Sequence, residues 1–308
     1  MPAYKTQDDL GDCRAFSLAT IMQKYSCDKW KDKIPDCKNP PTRFNISSFG
    51  VIVYTNRDLI KDETFQPLQK EARHMYIIIE EIAKYPTFIL ESCKPFSNMV
   101  PKFSLKGQKG LDDRDRLFVY LKNLYNSKKA PTEADVVDCS EYLEEIAQFT
   151  GMDTSSFNLK KALTEMNYDK FLYMLFFDGC DFKSFAGGFD PYGYPNDATR
   201  ATPLDLKNKI IEGLQKNKPV LFPKVAMTVD ENNACTSGHS IVISGYKKVY
   251  NGRVYKDLFK VHNSWGESWQ KSNNDGWVDA EILVSHTRRS ISQSDPYVTS
   301  ASVIWLEP

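Results

Sequence analysis

The chain has little histidine: His74, His239, His262 and His286 are its only four in 308 residues. Any chemistry that needs an imidazole must draw on that short set. A charge excess of either sign is also missing, because Lys+Arg and Asp+Glu both total 40. With no net field, neither nucleic acid nor an anionic membrane is indicated as a partner. No apolar run approaches the roughly 18 residues of a membrane helix, so membrane insertion is not expected. The opening Met1-Pro2-Ala3-Tyr4-Lys5 lacks the apolar core of a signal peptide. That leaves a cytosolic protein or one met without its export segment. No cysteine pair has the C-x-x-C spacing of common zinc sites, and the expectation is no metal and no cofactor. Internal repeats and low-complexity segments are absent as well.

What is present is ordinary in bulk. Hydrophobic residues make up 41% and charged residues 26%, the composition of a soluble globular protein. The length suffices to bury a substantial core, as one large domain or two lobes. Seven cysteines are less ordinary: Cys13, Cys27, Cys37, Cys93, Cys139, Cys180 and Cys235. With Cys13 set aside as a reactive thiol, six remain for disulfides, and six can pair in about 15 ways. Spacing favours Cys27–Cys37 around a proline-rich turn and, next, Cys139–Cys180, with Cys93 and Cys235 the remaining candidates. The odd count favours a secreted protein, or another oxidising compartment, with one functional free thiol. The alternative is six scattered thiols in a reducing one.

Along the chain, residues 13–25 carry Ala15, Phe16, Leu18, Ala19, Ile21 and Met22, which suits a mostly buried helix with Asp12 as N-cap. Residues 27–41 read as loop, 49–54 as a short β-prone run, 68–84 as a helix ended by Pro86, and 91–96 as a turn. Residues 117–125, 141–149 and 159–177 are amphipathic helix candidates, and 178–202, rich in Gly, Pro and aromatics, reads as a long ordered loop. Residues 203–217 give another helix and 219–229 a buried strand. Two β-prone runs, 240–250 and 253–263, meet at Asn251-Gly252, the dipeptide favoured in a type I′ hairpin turn. Such a hairpin brings His239 and Asn263 to the same end of a strand pair. Further strands are expected at 277–278 and 303–306.

Three pieces then read as one site. Cys13 opens the first helix, where the positive end of the helix dipole favours a thiolate. His239 supplies an imidazole to form the ion pair that lowers its pKa, and Asn263 holds the ring by its other nitrogen. The Gln7 side chain and the Cys13 backbone N–H are placed to bind an oxyanion. Trp265 would cover the His–Asn bond against water. His262 is the rival base, but next to Asn263 on an extended run its side chain faces the other way. Asn45-Ile46-Ser47 is a glycosylation sequon.

These residues resemble the papain-like cysteine peptidases. Gln7, Gly11, Cys13, Ala15, Phe16 and Ser17 stand where that family's Gln-x-x-x-Gly-x-Cys-x-Ala-Phe-Ser pattern puts them. Gly238-His239-Ser240 with the apolar run to Gly245-Tyr246 is similar to its histidine stretch. Asn263-Ser264-Trp265-Gly266, with Trp269 and Gly276-Trp277, is similar to its asparagine stretch. The resemblance covers about residues 1–100 and 205–308. It implies an α+β, two-lobed fold with a helical left lobe and a β-rich right lobe. The whole of 1–308 would form one peptidase domain, its cleft contributed by 1–99 and 206–308, with a helical insertion at 100–205. It implies a secreted endopeptidase working through a Cys13 acyl-enzyme, a monomer without cofactor. Its partners would be protein or peptide substrates and, further, a protein inhibitor or the propeptide, which is not in this sequence.

The departures are informative. Leu10 stands where the family usually has a cysteine, and Arg14 where it has an aromatic; Arg14 is read as a solvated rim residue. The Gly-Gly pair that binds substrate backbone in the family is not evident after residue 50; Gly187-Gly188 in the insertion would replace it only if that loop folds over the cleft, and is read as a turn. His239 lies 226 residues beyond Cys13, against roughly 130–150 in the family, and the insertion accounts for the excess. Two other readings stay open: an acyl or amide transferase using the same thioester, and a catalytically silent binding protein on the peptidase scaffold.

Overall fold

Val220-Leu221-Phe222, Ile241-Val242-Ile243 and Val303-Ile304-Trp305-Leu306 are unbroken apolar runs, the pattern of strands buried on both faces. The computed structural model describes residues 1–5, 13–48, 50–51, 79, 82–83, 87–93, 108–150, 153–155, 157–180, 182–184, 188–195, 201–229, 235–285 and 303–307. In it these runs are the heart of a six-stranded antiparallel sheet. Its strands are β3 (Asp190–Tyr194), β4 (Val220–Val229), β5 (Cys235–Tyr250), β6 (Tyr255–His262), β7 (Trp277–Asp279) and β8 (Val303–Glu307), in the order β3-β8-β4-β5-β6-β7. A separate two-stranded ribbon pairs β1 (Thr87–Ile89) with β2 (Phe182–Ser184).

Strand alternation sends the apolar runs to two different cores. Val220, Phe222, Ile241, Ile243, Val303 and Trp305 pack with Leu206 and Ile210 of the helix α6 (Pro203–Gln215, defined with its neighbours below). Leu221, Val242, Ile304 and Leu306, on the opposite face, join a second cluster with Ala15, Phe16, Leu18 and Ile21 of α1 (Cys13–Lys29). Four helices from the middle of the chain supply much of the rest of that second cluster: α2 (Gln108–Lys128), α3 (Ser140–Thr150), α4 (Leu159–Leu163) and α5 (Tyr168–Phe177). Leu121, Ile146, Leu163 and Phe171 are all fully buried there. The middle of the chain therefore shares a core with α1. Two short helices, α7 (Gly266–Ser272) and α8 (Ala280–Ser285), complete the described set. The class is a mixture of helix and antiparallel sheet, as expected.

Local chemistry sets several boundaries. Helix α6 starts with a full capping box, in which the Thr202 side chain accepts from Asp205 N and Asp205 accepts from Thr202 N, and Pro203 occupies the first turn. The expected single helix over 159–177 is two, because the Asn167 side chain accepts from Lys170 N and restarts the helix after a break at 164–167. The β-prone reading of 49–54 is overturned where it is described. Gly50 and Val51 are helical, with the Ser47 hydroxyl accepting from Gly50 N at 3.0 Å. The long loop at 178–202 contains β2 and β3; Pro191 is tolerated because β3 is an edge strand. The hairpin turn is not type I′. Tyr250 pairs with Tyr255, leaving a four-residue loop in which Asn251 Oδ1 accepts from Arg253 N and Val254 N, and Gly252 takes a φ of 91°. Of the helix expected over 68–84, only Ile79, Ile82 and Ala83 are described, all helical.

Two disulfides are formed. Cys27–Cys37 is the expected one. The second is Cys93–Cys180, not Cys139–Cys180. The β1–β2 register sets Ile89 opposite Phe182, so just beyond the ribbon the turn at 91–93 arrives at residue 180. Cys139 is buried and unpaired, its thiol donating to the Val137 carbonyl at 3.2 Å. The side chain of Cys235 lies outside the described residues. Among the described residues no helix is long and apolar enough to cross a membrane.

Candidate active site

Cys13 is the first residue of α1, a helix buried along most of its length. The first N–H groups of any helix lack intrahelical partners, so the thiol sits in a field of unpaired donors. One hydroxyl ties this helix start to β5, and a second ties β5 to β4 at the same place. Ser17 Oγ donates to the Ser240 carbonyl at 2.9 Å, and Ser240 Oγ donates to the Pro223 carbonyl at 2.8 Å. These ties bring the Ser240 N–H to Cys13 Sγ at 3.2 Å.

The hairpin expectation is realised in space. His239 on β5 and Asn263, which follows the last residue of β6, meet in a hydrogen bond of 2.7 Å between His239 Nε2 and Asn263 Oδ1. An amide oxygen only accepts, so Nε2 carries the proton. The Nδ1 side is left for the thiol, and Cys13 and His239 are near enough for each to shift the pKa of the other. Trp265 stacks on the His239 ring at 4.6 Å between centroids, and Trp269 meets Trp265 edge-on at 5.8 Å. Cys13, His239 and Asn263 are all buried.

The electrostatics favour the charged pair. Burial by itself pushes the Cys13 thiol up. The His239 hydrogen bond and charge, the Ser240 N–H and the charge of Arg14 outweigh it, and the thiol lies below its ordinary value of 9.0. Burial likewise pushes His239 down, but the bond to Cys13, its charge and Asn263 prevail, so the imidazole lies above 6.5. Each group shifts the other toward its ionised form.

His262, the rival imidazole, is elsewhere. It lies across the strand pair from Val242, under the ring of Tyr4 at 4.3 Å. It is buried, and neither ring nitrogen has a hydrogen-bond partner of ordinary geometry among the described residues. Burial, then the positive Met1 amino group, drives it down to about 3, with the nearby Ala3 backbone opposing only in part. The segment that carries Tyr4 is anchored at its other end by Lys5, whose amine donates to the Ile46 carbonyl at 2.9 Å.

Gln7, Gly11 and Asp12 lie outside the described residues, as do Gly187, His74 and His286. Gly188 is described, and its carbonyl accepts from Tyr25 OH at 2.6 Å. Arg14, read as a solvated rim residue, is half-buried and adds to the lowering of the thiol pKa. The contribution of Ser240 was not legible beforehand. Ser17 and Ser240 stood in the quoted motifs, yet a backbone donor carries no signal in its own side chain. Among the described residues no group of three or more His, Cys, Asp or Glu is gathered to hold a metal. A buried thiol, an imidazole near it and an amide orienting that imidazole can together deliver a nucleophile and shuttle a proton. Compared with models of protein families and with curated proteins, the chain matches none.

Proposed function

We propose that this chain is a cysteine-type endopeptidase built on a papain-like, two-lobed plan. The helical lobe carries Cys13, and the sheet lobe carries His239 and Asn263. The observation behind the reading is the grouping of Cys13, at the mouth of a buried helix and bonded to the N–H of Ser240, with His239, bonded to Asn263 at 2.7 Å, the Cys13 and His239 pKa values being displaced toward the ion pair. The shared core of α1 and α2–α5 supports a single domain whose insertion belongs to the helical lobe. Two disulfides support an extracellular or otherwise oxidising compartment.

The chemistry runs in two halves. The Cys13 thiolate attacks the peptide carbonyl carbon, and the displaced π electrons settle on oxygen. The Cys13 N–H, with the Gln7 side chain as its partner, stabilises that oxyanion. Collapse breaks the C–N bond as the His239 imidazolium gives its proton to the leaving amine, leaving a thioester. Neutral His239 then takes a proton from water, the hydroxide adds to the thioester carbonyl, and cleavage of C–S restores the thiolate. Asn263 keeps the imidazole in plane throughout, and Trp265 keeps bulk water off the His–Asn bond.

The test is Cys13→Ala assayed on unfolded protein. Turnover is expected to fall by at least about 10⁴-fold with the circular dichroism unchanged; retained cleavage in a clean preparation would refute the assignment. Product analysis with added amine separates hydrolysis from acyl transfer. A Cys13 inert to iodoacetamide at neutral pH would favour a silent binding protein.

A further inference from the structure

Of the nine exposed large hydrophobic residues among those described, four crowd the tip of the β5–β6 hairpin: Val249 (38% exposed), Tyr250 (56%), Val254 (55%) and Tyr255 (69%). The rest of the hairpin explains why they are bare. β4 pairs with β5 no further along than Ile243, and β7 pairs with β6 only over Leu258–Lys260. The rungs Val249–Lys256 and Tyr250–Tyr255 and the loop at 251–254 therefore project beyond the sheet with no third strand beside them. Tyr250 and Tyr255 share one face, their rings 5.2 Å apart, and Val249 lies on the other. The tip is apolar on both faces.

Cations ring this tip. Lys247, Lys248, Arg253 and Lys256 all fall within residues 247–257, against Asp257 as the single acid. Asp257 holds Lys207 at 3.0 Å and Lys248 at 3.7 Å and accepts from Tyr246 OH. Lys256 is paired with Asp279, and Lys247 lies over the Trp277 ring. Arg253, at the apex, has no ion-pair partner among the described residues. The zero net charge of the chain thus conceals a local positive excess at this apolar projection.

We infer that this hairpin tip docks on the surface of a lipid bilayer carrying anionic headgroups. A finger with apolar groups on both faces is complemented by a medium that surrounds it, whereas a flat protein partner would cover one face only. Tyrosines suit headgroup depth, where the ring is buried and the hydroxyl stays wet. Lysine and arginine stems lie along the apolar side chains while their charges reach the headgroups. The depth is that of a peripheral contact and involves no membrane-spanning element. His239 and Asn263 sit at the far end of the same hairpin, on the order of 30 Å away at the rise of a strand. Docking by the tip leaves them uncovered.

The experiment is vesicle co-sedimentation of the full chain at low ionic strength. Vesicles of phosphatidylcholine alone are compared with vesicles in which phosphatidylserine is added. The wild type is expected to sediment with the anionic vesicles and not with the neutral ones. Arg253→Ala should weaken that partition roughly fivefold, and the Tyr250→Ser/Tyr255→Ser pair roughly tenfold or more. Val137→Ser, at an exposed position remote in sequence, should leave it unchanged. All of these positions are on the surface, so folding is not at risk, and the readout does not depend on peptidase activity. Absence of wild-type binding to anionic vesicles, or undiminished binding by the tyrosine double variant, overturns the inference. It is equally overturned if the chain self-associates through the tip in sedimentation velocity runs while ignoring vesicles, which would assign the tip to a second copy of the chain.

Discussion

Among the described residues two free cysteines and two histidines are buried, and in each pair the two members behave in opposite ways. Cys139 is buried at the start of α3 and burial raises its thiol; Cys13 is buried at the start of α1 and its thiol is lowered. His262 is driven down to about 3, while His239 is raised. Desolvation acts in the same direction on both members of each pair. What differs is the neighbour: Cys13 and His239 favour each other's charged form, whereas the Cys139 thiol donates to the Val137 carbonyl and His262 lies under the Tyr4 ring near the positive Met1 amino group. A buried group far from a partner is shifted toward its neutral form, and two such groups of opposite charge brought together shift each other back toward the charged forms. Burial therefore does not distinguish the candidate site from the core; mutual placement does.

The hardest way to break this contrast is to remove one partner. His239→Gln should cut kcat/KM about 10³-fold or more and return Cys13 to the behaviour of a buried thiol. Iodoacetamide labelling at neutral pH, expected to favour Cys13 over Cys139 in the wild type, should then slow sharply. Equal labelling of both thiols in the wild type would sink the contrast outright.

Asn263→Ala is the next largest. Activity needs thiolate and imidazolium together, so it rises as pH climbs through the lowered Cys13 value and falls as pH passes the raised His239 value. Without Asn263, one support of the raised imidazole pKa is gone. The alkaline limb of the pH–rate profile should move down toward 6.5, with a loss in kcat of about tenfold to a hundredfold. An unmoved alkaline limb would mean that the asparagine only positions the ring.

His262→Phe sharpens the comparison from the other side. The folded-state pKa of His262 is depressed, so its contribution to stability is complete above the unfolded value of 6.5. It drains away as pH falls from there toward about 3, with a slope of at most about 1.4 kcal/mol per pH unit. The substitution should flatten that slope in urea titrations and add about 1–2 kcal/mol at mildly acid pH, because an unpartnered buried polar group is removed. Unchanged acid sensitivity would place the acid-labile group elsewhere.

The smallest expected effect is that of Trp265→Ala. Losing the ring over His239 should cost about 1 kcal/mol of transition-state stabilisation, seen as a several-fold fall in kcat with KM little changed. A Cys139→Ser variant, by contrast, should leave activity within error.

Much of this was legible in the residues. The thiol at the head of an apolar helical run, the strand pair joining His239 to Asn263 and the tryptophan above them are local or near-local patterns, and the coordinates place them together. The turn chemistry was half legible: Asn251-Gly252 announced a hairpin, but the register at Tyr250–Tyr255 made the loop four residues long. The helix over 159–177 failed for a local reason, since apolar periodicity runs smoothly through Asn167 while its side chain caps a new start. Cys93–Cys180 failed for a non-local one. The two residues are 87 positions apart, and only the β1–β2 ribbon brings them together.

By itself the sequence determined which side chains are candidates for reactivity and where most of the described helices and strands lie, because both follow from composition, periodicity and capping within a few turns of chain. Only the tertiary structure decided which buried thiol meets which buried imidazole, which cysteines pair, and that α2–α5 pack into the same core as α1. Those outcomes depend on strand register and on long-range packing between segments tens to hundreds of residues apart, and no local pattern specifies them.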